Sequence, residues 1–459
     1  MSRPGKHLRL ASVAAALLVG AALLCGAALR ADVTGVLPAR RVVLVSIDTL
    51  RPDHLGAYGA PRATSPTLDA LAAEGTRFTT CVAPAPWTPP SHVSMLTGLY
   101  PSRTGVRGVR DELRPGVHTL AAMLRARGFL TAAVIASDLV LPCARCREDF
   151  ESVTEIPWRG DGSPSSPVIV DSGVEVTRAA ERWLATRAPA DRFLLFVHYY
   201  DVHSDYRPRP EMARRFGADP GNLEPGDNRW LIDNREHGAV SPAALTQMQR
   251  LYDGEIRQLD DVLRGLFAYL RARGLWEGTL VVVTADHGEE FLEHGGLLHG
   301  RTLYEELVRV PLILRGPGVP RGRVVRHVAS LVDVVPTILA AVGVPPPDAL
   351  DGRSLLPLVA GDDVRWADRA ASEADQTRRK RMVRVGPLKL IRDEAGGDEL
   401  YDLRDDPGER RNLAAERPRE VAELAAAMAS MLAGAAPAAP PTLDDDTRAR
   451  LRALGYLDE

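Results

Sequence analysis

The segment Trp87-Thr88-Pro89-Pro90-Ser91-His92 could bring a hydroxyl nucleophile to an anionic ester. Proline in the first turn and Gly98 at the far end predict a helix with Thr88 as its N-cap. The first-turn amides and the dipole of such a helix attract negative charge, so Thr88 would stand beside a site for phosphate or sulfate. Taken alone, these residues fit a Thr88 that only caps the helix better than they fit a nucleophile.

Three predicted strands end in carboxylate or imidazole side chains. These strands are residues 42–47, 193–197 and 280–284. Asp48 follows the first strand, His203 lies shortly after the second, and Asp286 and His287 follow the third. Ligands of open α/β sheets bind outside the carboxyl ends of the strands, so we expect these side chains to converge. We predict a divalent metal site formed by Asp48, Asp286 and His287, with Thr88 completing the ligand set.

The same residue types indicate how an ester could be cleaved. A threonine hydroxyl is a weak nucleophile, and the sequence has no lysine between residues 7 and 379 to activate it. We therefore expect the cation to promote loss of the Thr88 proton. His203 and His299 are expected to hold the non-bridging ester oxygens or to protonate the leaving group. The simpler alternatives are a loop position for His203 and a backbone hydrogen bond for His299.

The ligand set also restricts the cation. An imidazole and few carboxylates favour Zn²⁺ or Mn²⁺, while Ca²⁺ is a weaker alternative. We predict one ion and leave open a second, held through Asp201, His203 or His299.

Composition limits the class of partner. The chain has 459 residues, of which 45% are hydrophobic and 25% charged, as expected for one large domain and a smaller one. A net charge of −3 provides no basic stripe, so nucleic acid is not expected as a substrate.

The N-terminus predicts export. Basic residues precede an uncharged apolar run at residues 10–29, which suits either a cleaved signal peptide or a membrane anchor. In the periplasm or outside the cell, Cys143 and Cys146 are expected to form a local disulfide, because no further zinc ligands are evident nearby. Cys81 is expected to be a buried thiol.

Apolar runs alternate with segments of helical period, which predicts an α/β domain with a largely parallel, covered sheet. Two further strands are expected at residues 131–135 and 311–314. Helices are expected at residues 66–74, 119–127 and 248–273.

The composition shifts after residue 344, through three prolines. Residues 383–385 and 388–392, separated by Gly386-Pro387, predict a hairpin. The basic run at residues 378–381 is expected to be a solvated loop, with contact to an acidic substrate as the alternative. Residues 433–441 are expected to form an extended Ala/Pro linker before a short amphipathic helix.

Several motifs together resemble the sulfatase family of the alkaline phosphatase superfamily. They are Ser46-Ile47-Asp48-Thr49-Leu50-Arg51-Pro52-Asp53-His54, Thr88 to Gly98, Asp286-His287-Gly288-Glu289, Leu303-Tyr304-Glu305-Glu306 and Glu399-Leu400-Tyr401-Asp402-Leu403. Each motif is weak by itself, and the set is specific in this order and over this length of chain.

The resemblance implies a large mixed sheet flanked by helices, followed by a smaller C-terminal α+β subdomain. It also implies hydrolysis of sulfate or phosphate esters at a metal. With it, the predicted parts are a signal peptide or anchor at 1–35, a catalytic domain at 36–344, the subdomain at 345–432, and the linker and terminal helix at 433–459.

The chain departs from the family pattern at the residues expected to do chemistry. Members of the family place at position 88 a cysteine or serine that becomes formylglycine, and Thr88 cannot be converted by that route. His92 stands where they carry an arginine, and we expect it to contact the substrate. Thr49 and His287 stand where many carry aspartate and asparagine. A hydroxyl nucleophile with an Asp-His ligand pair resembles the relatives that cleave or transfer phosphoryl groups.

Two alternatives remain open from the sequence. The chain could be a non-catalytic binding module on the same fold, or a phosphoryl-group transferase acting on an envelope substrate. The expected ligand is a small-molecule, glycan or lipid ester, and the sequence does not predict the oligomeric state.

Overall fold

The structure is a computed structural model that describes residues 38–156, 172–235, 240–362, 364–376, 378–434 and 445. The predicted signal or anchor, and almost all of the predicted linker and terminal helix, lie outside these residues. Within them, no helix is both long and apolar enough to cross a membrane.

Fourteen strands are found in the described residues. They are β1 (Arg41–Ile47), β2 (Thr76–Val82), β3 (Leu130–Ile135), β4 (Ser152–Glu155), β5 (Phe193–Tyr199), β6 (Thr279–Thr284), β7 (Glu290–Phe291), β8 (Leu297–Leu298), β9 (Arg309–Arg315), β10 (Arg323–Ser330), β11 (Arg369–Ala374), β12 (Lys380–Val385), β13 (Leu388–Asp393) and β14 (Gly397–Asp402).

Eight of these strands form one large sheet in the order β10-β2-β9-β6-β1-β5-β3-β4. Strand β9 runs antiparallel to both of its neighbours, and the other pairs are parallel, so the sheet is mixed. The central strand β1 is buried on both faces, which explains why Val42 to Val45 form a continuous apolar run. The expectation of a large mixed sheet in an α/β domain is confirmed.

The described helices are α1 (Pro66–Glu74), α2 (Thr88–Thr97), α3 (Pro101–Thr104), α4 (Leu120–Arg125), α5 (Ala144–Glu148), α6 (Ser172–Ala185), α7 (Pro210–Arg215), α8 (Asn228–Asp233), α9 (Pro242–Ala272), α10 (Glu305–Val308), α11 (Val334–Ala341), α12 (Leu356–Ala360) and α13 (Pro418–Met431). Helix α1 has the predicted bounds, and α9 begins six residues earlier than predicted. Ser241 caps α9 by accepting a hydrogen bond from the Ala244 amide, a local start signal that the apolar period did not contain.

A second, antiparallel sheet is formed by β11, β12, β13 and β14 in that order. The predicted hairpin at Gly386-Pro387 is confirmed as the β12–β13 connection. The prediction of a solvated loop at residues 378–381 is wrong for Lys380 and Arg381, which belong to β12. Arg381 pairs with Glu373 and Asp375 at 3.2 and 2.8 Å, and these ion pairs allow a basic residue to lie in a sheet.

The predicted cysteine states are confirmed. Cys143 and Cys146 form a disulfide, and Cys81 is a free buried thiol. The proposed domain bounds stay a prediction.

A fully buried lysine joins the small sheet to the segment that follows β8. Lys389 of β13 is 0% exposed, and its Nζ lies 3.1 Å from Glu305 and 2.8 Å from Glu409. Arg384 provides a second cation to Glu305 at 2.9 Å. Burial acts to lower the pKa of Lys389, but Glu409 and Glu305 outweigh it and raise that pKa.

We predict that Lys389→Met lowers the free energy of unfolding by about 3–5 kcal/mol, because it leaves Glu409 as an uncompensated buried charge. Urea unfolding followed by fluorescence measures the change. Arg419→Met is the control: it removes only an exposed pair with Glu423 on α13 and should cost at most about 0.5 kcal/mol. Equal losses for the two variants would show that the buried pair contributes nothing specific.

Candidate active site

The site lies at the carboxyl ends of the three central strands, β6, β1 and β5. These strands are adjacent and parallel, and Ser46 pairs with both His198 and Thr284. Asp48 therefore emerges from β1 at the level where the segment carrying Asp286 leaves β6. The convergence predicted from the three strand ends is present in the structure.

Three of the predicted metal ligands form one compact group. One ligand atom each from Asp48, Asp286 and His287 lies within 4.8 Å of the others, and all three residues are buried. His287 Nε2 lies 3.2 Å from Asp286 Oδ2 and 3.6 Å from Asp48 Oδ1. Asp48 Oδ1 and both carboxylate oxygens of Asp286 have no hydrogen-bond partner.

This group fits a divalent cation. Buried carboxylate oxygens without hydrogen bonds are costly unless a positive charge faces them. Two carboxylates and an imidazole are the donors that Zn²⁺ and Mn²⁺ accept. The structure therefore supports a metal site at Asp48, Asp286 and His287.

Thr88 stands at the edge of this group. It is the first residue of α2, fully buried, and its Oγ1 lies 3.3 Å from His287 Nε2. Ser91, one turn along, holds the helix to the strand end by donating to the Asp286 carbonyl at 2.6 Å. Thr88, which was predicted as a metal ligand and nucleophile, thus lies beside the three other predicted ligands.

Two details of the predicted helix differ. Trp87, not Thr88, is the N-cap, so Thr88 is already helical. Pro89 and Pro90 carry no amide hydrogen, so the first turn offers an anion fewer N–H groups than expected. Because Asp48 and Asp286 are acidic, the attraction for an anionic ester at this position would have to come mainly from a cation bound at the metal group.

Gly288 lets the strand-end segment approach α10 closely. A Cβ at this position would lie 2.0 Å from the Glu306 carbonyl oxygen. The Gly288 and Glu289 amides donate to the carbonyls of Leu307 and Glu306 at 2.8 and 3.1 Å. These bonds fix the backbone on which His287 and Glu289 stand.

His92 lies one helical turn after Thr88 and is enclosed by protein. Its Nε2 lies 2.9 Å from Ser46 Oγ, and its Nδ1 lies 3.0 Å from the Thr88 carbonyl and 3.3 Å from Asp286 Oδ2. Because both ring nitrogens contact protein atoms, the geometry does not favour the predicted contact between His92 and a substrate. It favours a role in orienting Asp286.

His198 is a site residue that the sequence reasoning missed. It is the sixth residue of β5, fully buried, and its Nε2 lies 3.1 Å from Asp48 Oδ2. The sequence did offer one signal for His198, because it lies near the end of a predicted strand that is followed by the histidine His203. His198 occupies one oxygen of Asp48 and leaves Oδ1 facing His287.

The rings of His299 and His203, the two other predicted histidines, lie in a row that begins at His287. The ring centres of His287 and His299 are 4.4 Å apart, and those of His299 and His203 are 5.0 Å apart. Nδ1 of His203 lies 2.7 Å from the Ser204 carbonyl, and its ring stacks on Tyr200. The structure therefore places His203 and His299 next to the metal group.

Glu289 is a second residue that was missed. It is fully buried, with Oε1 2.8 Å from His299 Nδ1 and Oε2 accepting from the Tyr206 hydroxyl at 2.7 Å. Glu289 thereby fixes the orientation of the His299 ring. Its partners are distant in sequence, so no local pattern indicated the contact.

Asp201, an open candidate for a second ion, is engaged elsewhere. Its two carboxylate oxygens accept hydrogen bonds from Ser172 Oγ and the Gly173 amide at 2.8 and 2.9 Å. These contacts make it an anchor for the start of α6 rather than a metal ligand.

Burial and mutual charge set the ionisation of the metal group. Burial, followed by the charge of Asp286, raises the pKa of Asp48 to about 6. For Asp286 burial acts upward, but His287 and His92 outweigh it and hold its pKa well below the usual range. For His287 burial acts downward, but Asp286 and Asp48 outweigh it and raise its pKa to about 9.

The surrounding imidazoles are held neutral. Burial lowers the pKa of His92 and of His198 to about 4. Burial also lowers the pKa of His203 and of His299. Without a metal ion, His287 is therefore the protonated imidazole of the group at neutral pH.

Comparison with known proteins agrees with this geometry. The family described as Sulfatase matches residues 40–344, which is more than half of the chain and includes every residue of the metal group. The chain belongs to the sulfatase family. Membership assigns this sulfatase to the ester hydrolases, and the family resemblance expected from its motifs is confirmed.

A second family model and several relatives extend the match. The model described as N-sulphoglucosamine sulphohydrolase, C-terminal, matches residues 293–436. The sulfatase is 26% identical to a delta 4,5-hexuronate-2-O-sulfatase of Bacteroides thetaiotaomicron, over 81% of this chain and 84% of the relative. It is 28% identical to human arylsulfatase A, over 84% and 86% of the two chains.

Among solved structures, the sulfatase is similar to the phosphonate monoester hydrolase of Agrobacterium radiobacter. The TM-score is 0.73 at 22% identity, and the match covers 86% of this chain and 96% of the other. This similarity confirms the expected architecture of a large mixed sheet with a smaller C-terminal sheet.

We predict that Asp286→Ala reduces bound metal from about one ion per chain to well below one, because it removes a carboxylate from the ligand set. Elemental analysis after dialysis measures the content. Asp260→Ala is the matched control: Asp260 is also buried but accepts from the Thr67 and Leu68 amides of α1. Full retention of metal by Asp286→Ala would remove that residue from the set.

We predict that the affinity for Mn²⁺ rises about tenfold per pH unit between pH 7 and 8, because the ion must displace one proton from His287, whose pKa is about 9. Below pH 6 the dependence should steepen, since Asp48 then also carries a proton. Calorimetric titration in buffers of different ionisation enthalpy measures the dissociation constant and the proton released. A pH-independent constant without proton release would contradict the assignment of His287.

Proposed function

We propose that this member of the sulfatase family is a metal-dependent hydrolase of phosphate, phosphonate or sulfate esters in which Thr88 is the nucleophile. The observation that carries the proposal is the position of Thr88 Oγ1, 3.3 Å from His287 Nε2 and beside two buried carboxylates, three of whose four oxygens have no hydrogen bond. Asp48, Asp286 and His287 would hold the divalent cation together with Thr88. When bound, the cation supplies positive charge that favours loss of the Thr88 proton and stabilises the charge of the reacting ester.

The covalent step then uses the chain's own hydroxyl. The Thr88 proton is lost to solvent, and Oγ1 forms a bond to phosphorus or sulfur. The bond between that atom and the ester oxygen breaks, and the leaving oxygen takes the electron pair and a proton. Attack by water on the Thr88 ester completes hydrolysis and restores the hydroxyl.

His299 is the better placed of the two histidines to carry that proton. Its Nδ1 faces the Glu289 carboxylate at 2.8 Å, which stabilises the charged ring, whereas Nδ1 of His203 faces a neutral carbonyl. In the resting protein burial keeps both rings neutral, and an anionic ester beside them favours the protonated form. We assign proton transfer to His299 and contact with the non-bridging oxygens to His203.

The residues present favour phosphorus esters over sulfate esters. Thr88 cannot supply the formylglycine of the family's sulfate-cleaving members, and His92, at the position of their arginine, is turned toward Ser46 and Asp286. The structural similarity to a phosphonate monoester hydrolase supports this preference. The hexuronate 2-O-sulfatase relative supports a glycan ester as the natural substrate class.

An exported location is part of the proposal. The Cys143–Cys146 disulfide supports an oxidising compartment, in agreement with the predicted signal or anchor. We propose that the protein acts in the periplasm or outside the cell.

We predict that the Zn²⁺- or Mn²⁺-loaded protein hydrolyses an aryl phosphonate or phosphodiester faster than an aryl sulfate. Thr88→Ala should lower kcat by at least about 10³-fold because the nucleophile is lost, while Asp48, Asp286 and His287 retain the metal. Thr97→Ala is the control: Thr97 lies at the far end of α2, and its hydroxyl donates to the Val93 carbonyl.

Rates alone do not show a covalent step. Mass spectrometry of acid-quenched protein should find the transferred group on the peptide that contains Thr88. Equal, very low rates for the native protein and Thr88→Ala on both ester classes would favour the non-catalytic binding module.

A further inference from the structure

A cavity of about 510 Å³ opens beside the histidines of the active site. Residues that carry charge or can carry it make up much of its wall, and the relevant ones are Arg235, Glu290, His299, Arg301, Arg378 and Lys380. Neither the proposed metal group nor the nucleophile lines it. The cavity is therefore a separate space that shares one residue, His299, with the active site.

Basic side chains outnumber carboxylates among the residues that line this cavity. Arg235, Arg301, Arg378 and Lys380 provide the arginine and lysine side chains, and Glu290 is the carboxylate among the lining residues. Glu290 is engaged within its own loop, because it accepts hydrogen bonds from the amides of His294 and Gly296 at 3.1 and 2.8 Å. The cavity therefore attracts anions, although the whole chain carries a net charge of −3.

Two of the cations come from the basic run at residues 378–381. The carboxylate of Asp393, on the neighbouring strand, lies 3.7 Å from Lys380 and 3.9 Å from Arg378, beyond hydrogen-bond distance. Asp393 itself accepts a hydrogen bond from the Ala395 amide at 2.9 Å. It reduces the positive field only partly, and both cations remain at the cavity wall.

His299 lines the cavity and also lies beside the proposed metal group. Its ring centre is 4.4 Å from that of the metal-group residue His287, and the same side chain lines the cavity. A substrate whose ester lies at Thr88 would therefore extend past His299 into the basic cavity. Arg235, which is 7% exposed, provides a buried cation on this path.

We propose that this cavity is a subsite for a second anionic group, so that the natural substrate is an ester that also carries a carboxylate or another acidic group. The assignment rests on the proposed function, because it places the scissile ester at Thr88. The small sheet contributes to recognition through Lys380 of β12, and Arg378 precedes that strand, while the strand ends of the large sheet carry the proposed metal group.

The test compares three aryl phosphonate esters that differ only in a remote substituent: a carboxylate, a sulfonate or a neutral carboxamide. We expect kcat/KM for the acidic esters to exceed that for the carboxamide by at least about tenfold, as one charge-assisted hydrogen bond provides. The carboxylate and sulfonate results show whether a planar or a tetrahedral anion is preferred.

Charge-neutralising variants locate the effect. Lys380→Gln and Arg301→Gln should each lower the ratio of kcat/KM between acidic and neutral esters by about tenfold. Arg419→Gln, which removes an 88% exposed arginine on α13 outside the cavity, should leave the ratio unchanged. Equal ratios in all proteins would overturn the subsite while hydrolysis of the carboxamide ester upheld the proposed function.

A binding measurement tests the subsite independently of turnover. Calorimetry with Thr88→Ala should show tighter binding of the carboxylate ester than of the carboxamide, and Lys380→Gln in that background should abolish the difference. Absence of hydrolysis in the native protein together with this binding difference would reject the proposed function and retain the subsite. Equal binding of the two esters would reject the subsite.

Discussion

Two carboxylates buried side by side are the constraint on which this structure depends. Asp48 and Asp286 are inaccessible to solvent, and three of their four oxygens have no hydrogen bond. Negative charge in the protein interior is costly unless positive charge faces it, so the fold must supply a cation. His287 provides one positive charge when protonated, and a divalent ion at the same place would provide two. The buried negative charge that opposes folding at this site is thus also what suits the site to a metal ion, and through that ion to an anionic ester.

The large sheet keeps these charges together because parallel strands end at the same edge. Strands β6, β1 and β5 are adjacent, and their register fixes the distance between the segments that carry Asp286, Asp48 and His198. Helix α2 adds Thr88 from outside the sheet, held by the bond from Ser91 to the Asp286 carbonyl. The strand pairing and the Ser91 hydrogen bond both fix the backbone, so the side chains of the site are positioned before any substrate binds.

A line of imidazoles connects the metal group to the basic cavity. The ring centre of His299 lies 4.4 Å from that of His287 and 5.0 Å from that of His203, and Glu289 fixes the orientation of the His299 ring. Burial lowers the pKa of His203 and of His299 and so favours their neutral rings, whereas the cavity is lined by arginine and lysine side chains. In the function and subsite proposed above, the two regions would therefore attract a substrate differently: one through a metal ion, and the other through basic side chains.

The sequence by itself determined the family, the class of fold and the group Asp48, Thr88, Asp286 and His287, because strand ends and a helix start are local patterns that place polar residues at a known edge. It could not reveal His198 or Glu289, whose partners Asp48 and His299 lie on other elements and are joined only by strand register and loop packing. The sequence also predicted the position of Lys380 wrongly, as a solvated loop, because a basic run has the same composition in a loop and at a cavity wall. Only the pairing of β12 within the small sheet decided its position, because contacts between distant segments depend on packing that no local spacing encodes.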